Sequence, residues 1–284
     1  MNNTLEEGSE PQPVYAALFG CILVLGLPLN AVSLWILIRH HSLKSPSAVY
    51  MVNLAISDLL LVISLPMRVY FYATGSWPSS NFACIFTVML FRNNIRSSAF
   101  FITLICVDRL LAVVYPLKSR HLRTPANAWR AAALVWLFVS VINIAEGVMF
   151  FKFLNQSSNS SCFEITQFQS ILGRVIQPML VFSMLAVNIV CTALVSWTLQ
   201  RHLNDSARVK NKVNVMLIFV MGLVMFTICF LPLYVGVFTT TKPSVITPLL
   251  CVASVNCCLD PLLYYFSLDA FWKKKDDVDL PGGR

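Results

Sequence analysis

Seven long apolar runs limit what this chain can fold into. They cover roughly 14–39, 47–73, 83–114, 127–152, 168–200, 211–239 and 245–266, and short polar or Pro-containing connections separate them. About 20 apolar residues suffice for a helix to cross the hydrocarbon core of a bilayer. A soluble fold has no room for so much apolar surface. Hydrophobic residues make up 57% of the chain and charged residues only 12%, against about a quarter charged in ordinary soluble domains. The pattern predicts an all-α membrane protein, a seven-transmembrane helix bundle. Residues 1–13 form a polar N-terminus, 14–266 the transmembrane domain, and 267–284 a tail. That tail opens with an amphipathic stretch, Ser267 to Trp272, followed by Lys273, Lys274 and Lys275. Such a segment lies along a membrane surface. The closing Pro281-Gly282-Gly283 reads as disordered.

The basic residues orient the bundle. Most of the 21 Lys and Arg fall at one set of helix ends, among them Arg39, Lys44, Arg109, Arg123, Arg201 and Lys273. The positive-inside rule makes that side cytoplasmic and the N-terminus extracellular, as expected of a multi-pass plasma-membrane protein. Three N-glycosylation sequons, at Asn2, Asn155 and Asn159, fall on the opposite face, the last two in one loop. The first dozen residues lack the basic region of a cleavable signal peptide. The net charge of +8 therefore reflects topology, and no nucleic-acid partner is expected. The nine Cys show no paired CxxC spacing, so neither a zinc site nor a disulfide framework is indicated. His40, His41, His121 and His202 lie at the inner ends or in loops. No Ser-His-acid set or metal cluster is visible, so neither an enzyme nor a cofactor is expected.

Polar residues within the spans are costly and point to function. The first run holds Asn30, and the second holds Asn53-Leu54-Ala55-Ile56-Ser57-Asp58-Leu59. The third ends in Asp108-Arg109-Leu110, then Tyr115-Pro116-Leu117. The fourth carries Trp136, the sixth Phe226 to Pro232, and the seventh Asn256 and Asp260-Pro261-Leu262-Leu263-Tyr264. Asp58, with Ser98, Asn256 and Asp260, has the makings of a hydrated cation site, or of a water-filled polar network holding no specific ion. A rise of 1.5 Å per residue puts Cys84 about 37 Å from Arg109, at the opposite face. Pro232 breaks the backbone ladder of the sixth helix and predicts a kink.

In this order, over essentially the whole chain, these motifs resemble the rhodopsin-like G-protein-coupled receptors. The resemblance implies that the cation at Asp58 is an allosteric sodium ion. It implies that Arg109 pairs with Asp108 at rest and releases to meet a heterotrimeric G protein. Tyr264, Phe226, Phe230 and Pro232 then form the relay from pocket to cytoplasm. It also matches a Cys84–Cys162 disulfide, Cys162 being the lone Cys of the long outer loop, where the compartment is oxidising. An arrestin is a further partner that such a receptor admits. A membrane transporter is the remote alternative. The absence of internal repeats and paired broken helices argues against it.

The ligand is signalled by positive charge. Arg68 lies toward the outer end of the second helix. Arg92 and Arg96 share a face of the third. Arg174 stands near the fifth helix and Lys242 in the last outer loop. The outer half of the third helix contains no Asp, as an amine receptor would require. The arginines suit a phosphate or carboxylate, which a guanidinium binds bidentately. Glu146 is placed to neutralise Arg92 or Arg96, yet one acid does not cancel all three. At finer grain, Tyr50 to Ala55, Ser64 to Arg68, Trp77-Pro78, Leu90-Phe91, Asn94 and Asn256 to Pro261 resemble the purinergic-like branch. They look most like the lysophosphatidic acid receptors of the six type. That resemblance implies an anionic, phosphate-headed single-chain lipid and coupling to the twelve/thirteen class of G proteins and Rho. A receptor for a small carboxylate or a nucleotide remains the alternative.

Overall fold

The computed structural model describes residues 11–39, 43, 45–156, 162–163, 175–201, 209–240 and 242–265, with backbone alone at 156 and 209–215. The predicted amphipathic helix and tail, Arg174, and the sequons at Asn2 and Asn159 lie outside the described residues. Helices α1 (Pro13–Arg39), α2 (Pro46–Thr74), α3 (Asn81–Val114), α4 (Pro125–Gln156) and α5 (Gln177–Arg201) each form one span. The sixth span is α6 (Val209–Met225), a π-helical turn (Phe226–Phe230) and α7 (Leu231–Thr239). The seventh begins with α8 (Pro243–Ser254) and continues, after a turn at Val255, through 256–265. Among the described residues, seven helical stretches are long and apolar enough to cross a membrane. All regular structure among the described residues is helical.

Local chemistry sets the boundaries. Ser45 caps α2 by accepting from the Ala48 amide, with Pro46 in the first turn, where a missing N–H costs nothing. Gly75 closes α2 at φ 72, a left-handed conformation that a Cβ would penalise. Ser80 caps α3. Pro232 and the π turn before it break the sixth span, as the proline predicted. The fourth helix runs one turn past the expected end at 152. Its last turn buries Phe150 and Leu154 against Cys84 and Cys162, so packing extends a helix that hydropathy alone ends at Lys152. Asn155, expected in a loop, consequently sits exposed in that last helical turn. The described part of the fifth helix begins at Gln177, against an expected 168.

The outer surface is apolar. Val24, Trp35, Ile63, Leu134, Ile144, Met179 and Trp197 are all exposed, as suits side chains facing lipid. Lipid tails give no hydrophobic drive to helix association, so polar contacts and close packing hold the bundle. Asn30 donates to the Cys257 carbonyl at 2.7 Å, Trp136 Nε1 to Asn53 Oδ1 at 2.8 Å, and Asn188 Nδ2 to Thr103 Oγ1 at 2.9 Å. Gly26 lets α1 approach the seventh span, because a Cβ there would lie 3.1 Å from Cys257 Sγ. α3 is central and touches α2, α4, α5, α6 and the π turn. Replacing Trp136 with Phe keeps the ring but strands Asn53 Oδ1. We expect a loss of about 1 kcal/mol, read as a fall of a few degrees in the Tm of the purified protein.

Candidate functional site

At one end of the bundle a disulfide joins Cys84, in the first turn of α3, to Cys162 of the long loop, with Cα atoms 5.7 Å apart. The bridge fixes the neighbouring Phe163, whose ring stacks on Tyr72 and meets Phe71 and Trp77 edge to face. Phe163 in turn covers Arg68. The Arg68 guanidinium carbon lies 3.8 Å from the Phe91 ring centroid, 4.7 Å from Phe163 and 5.8 Å from Phe19. Arg68 is buried, none of the ion pairs among the described residues involves it, and its Nε has no hydrogen-bond partner among them. Aromatic faces offset part of the charge, Tyr72 lies beside it, and the unpartnered Nε is a donor an anion could take.

Arg92 and Arg96 are engaged differently. Both guanidiniums bind the same carboxylate oxygen, Oε2 of Glu146 on α4, Arg92 at 2.8 Å and Arg96 more closely. Arg96 also donates to Asn143 Oδ1, and Gln177, the first residue of α5, donates to Glu146 Oε1 at 3.1 Å. The two arginines expected to meet ligand directly are thus held on an internal acid. The reason is the cost of burial: Glu146 and Arg96 are almost fully enclosed, and a buried charge persists only when paired. Beside the cluster lies a narrow crevice between α3, α4, α5 and α7, with Arg96, Gln177 and Tyr234 next to Phe100, Phe138 and Leu180. Lys242 is exposed at the N-cap of α8, at the rim of this end and outside the crevice lining.

Halfway down the bundle the polar residues meet. Asn94 donates to Asp58 Oδ1 at 2.8 Å, Ser98 Oγ at 3.1 Å and Ser57 Oγ at 3.2 Å, and Asn256 donates to Asp260 Oδ2 at 2.7 Å. Asp58 and Asp260 are electrostatic neighbours. Asp58 Oδ2, Asp260 Oδ1, Asn94 Oδ1 and Asn256 Oδ1 are buried with no hydrogen-bond partner among the described residues. Four inward acceptors, two of them from carboxylates, fit a small hard cation with water. Asn94 joins the four residues expected here; its place one helical turn before Ser98 was the available signal. Tyr264 is buried beside this group, with Asp58 and Asp260 as its electrostatic neighbours. Phe226 and Phe230, fully buried, pack edge to face at 5.4 Å across the π turn.

At the far end of α3 the Asp108 carboxylate has partners that spacing did not suggest. Ser47 on α2 donates to it, and Arg123, from the segment after α3, binds both its oxygens, Nε at 2.8 Å and Nη2 at 3.2 Å. Ser119 Oγ donates to the Leu111 carbonyl and holds that segment against α3. The expected pairing gave Asp108 only Arg109; the contacts described at its carboxylate come from a loop and a second helix. Ser47 and Arg123 carry no sequence signal of this role, because the contact depends on how the loop folds back.

The family model of the seven-transmembrane receptors of the rhodopsin family matches residues 29–264. The chain belongs to that family. Among the receptor's relatives, the lysophosphatidic acid receptor 6 of Mus musculus is 36% identical, over 90% of this chain and 81% of its own length. The lysophosphatidic acid receptor 4 of Homo sapiens is 31% identical, over 96% and 79%. The lysophosphatidic acid receptor 5 of Bos taurus is 32% identical, over 92% and 78%. In the receptor, the bidentate Arg123–Asp108 pair fastens the loop to the Arg109 end of α3. Arg123→Ala should loosen that end and raise ligand-independent G-protein activation several-fold at equal surface expression. An unchanged basal signal would show that the pair does not restrain the resting state.

Proposed function

We propose that the receptor is activated by an anionic lysophospholipid with a phosphate headgroup, such as lysophosphatidic acid, and signals through a heterotrimeric G protein of the twelve/thirteen class to Rho. The observation that carries this is Arg68: a buried guanidinium, caged by three aromatic rings, with no ion pair among the described residues. A phosphate monoester supplies the missing negative charge and accepts bidentately. The half-exposed Arg92 offers a second contact, and Lys242 a rim charge that draws anions in. Phe100, Phe138, Leu180 and Val181 of the crevice suit an acyl chain. The names of the three relatives described above, which are lysophosphatidic acid receptors, support the same ligand class.

The disulfide end is taken as extracellular and the Arg109 end as cytoplasmic, in accord with the positive-inside distribution and with a disulfide in an oxidising compartment. Ligand at Arg68 stabilises a state in which the sixth span swings about the π turn and Pro232. The cytoplasmic cleft beside Arg109 then admits a helix of the G protein, or an arrestin. A sodium ion among Asp58, Asn94, Ser98, Asn256 and Asp260 would hold the resting state, since its binding needs the second, third and seventh spans together.

A G-protein activation assay on cells expressing the receptor tests the ligand, with lysophosphatidic acid, other lysophospholipids, nucleotides and small carboxylates as the panel. Lysophosphatidic acid should activate, and Arg68→Ala should shift its EC50 upward by about 10- to 100-fold, as expected for losing a charged hydrogen bond. Activation by small acids or nucleotides alone would overturn the lipid reading. Asp58→Asn should abolish the effect of sodium on agonist affinity in membranes where the wild-type protein shows one. Equal sodium sensitivity in both would assign the polar group to water.

A further inference from the structure

The Arg92–Glu146–Arg96 cluster has a feature that the ligand reading above leaves unexplained. The two guanidiniums sit one turn apart on α3 and would repel each other. They share one oxygen of a single acid, Glu146, while Gln177 from α5 holds the other oxygen. Among the described residues Glu146 is the only acid paired with an arginine at the disulfide end. The cluster keeps one excess positive charge. Arg92 is 27% exposed against 2% for Glu146, and Arg96 Nε is buried without a hydrogen-bond partner among the described residues. The arrangement is that of an anion site in which a protein carboxylate already occupies the position an external anion would take.

We propose that Glu146 is a built-in competitor for the anion site formed by Arg92 and Arg96. It engages both guanidiniums in the resting protein, and an incoming phosphate group must take them over from it. Glu146 thereby sets how much anionic ligand the receptor needs. Three consequences follow from the geometry. Neutralising Glu146 exposes two unpaired guanidiniums and strengthens phosphate binding. Removing Arg96 as well returns the local charge to its starting value. Shortening the acid by one methylene draws the carboxylate back from the guanidiniums and weakens the competition. A purely structural ion pair behaves oppositely: breaking it would leave unpaired buried charge and weaken folding and binding together.

The site itself is tested with inorganic phosphate. The purified receptor is titrated at constant ionic strength, and its Tm is followed for the wild-type protein, Glu146→Gln, Glu146→Asp and the double variant Arg96→Gln/Glu146→Gln. For Glu146→Gln the phosphate concentration giving half-maximal stabilisation should fall about tenfold, the effect of one charge removed at close range. For Glu146→Asp, which retains the charge and the fold, it should fall about threefold by the same argument. The double variant should return to within about threefold of wild type. Unchanged or higher midpoints in both single variants, or no phosphate effect on any of the proteins, overturn the proposal.

The same variants are then assayed for activation by lysophosphatidic acid. This second arm rests on the lysophospholipid reading, and the first does not. Phosphate midpoints that shift as expected in a receptor silent to lysophosphatidic acid uphold the competitor and sink the lipid ligand. A wild-type receptor that responds to lysophosphatidic acid, with variants unmoved in both assays, upholds the ligand and sinks the competitor.

Discussion

Every polar group within the bundle must find its partner inside the bundle, because the surrounding solvent is hydrocarbon. That constraint organises the structure. Asn30, Asn53, Asn94, Asn188 and Asn256 each donate to a carbonyl, carboxylate or hydroxyl within the bundle. These contacts tie α1 to the seventh span, α2 to α4 and α3 to α5. Lipid offers no hydrophobic force to do the same. The few groups left unsatisfied then become conspicuous. Apart from single atoms such as Asn30 Oδ1 and Asn188 Oδ1, most gather at two places, around Asp58 and Asp260 and around Arg68 and Arg96, and these are the places where an ion or a ligand would complete the arrangement.

The two clusters carry opposite charge and lie at different depths. The upper one, near the disulfide, has three arginines and one acid. The lower one has two carboxylates facing each other. α3 carries parts of both: Arg92 and Arg96 above, Asn94 and Ser98 below. Because Asn94 lies between the two arginines in sequence, a shift of α3 that served one cluster would disturb the other. Such a shared helix offers a physical route by which anion binding above and cation binding below could oppose each other, without any long chain of intermediate contacts.

The sixth span is interrupted at one point. The π turn at Phe226–Phe230 and Pro232 together interrupt its backbone ladder, and the two buried rings pack across the break. Tyr234, one turn beyond Phe230, lines the crevice beside Arg96. The upper cluster therefore borders the segment beyond the break, which would couple a ligand there to the sixth span. Gly236 makes room in the same region: a Cβ there would come within 2.5 Å of Leu249 Cδ1, so the Leu249 side chain of the seventh span fills the space that a larger residue of the sixth would need.

The sequence by itself determined the seven spans, the family motifs and an excess of positive charge near one end. These are written in properties of consecutive or regularly spaced residues: apolar length, helical repeats, prolines and intramembrane acids. Cys84 and Cys162, Pro232 and the Asp58 group were legible for that reason. Tertiary structure alone decided which arginine is available. Arg68, Arg92 and Arg96 carry the same charge at different depths; only the fold shows one caged by Phe19, Phe91 and Phe163 and the other two sharing a single Glu146 oxygen. That difference arises where α1, α2, α4 and the loop after α4 converge, from residues far apart in the chain. The same holds for Asp108, whose partners Ser47 and Arg123 are 61 and 15 residues away. An ion pair depends on position in space, and no periodicity along the chain encodes where a loop folds back.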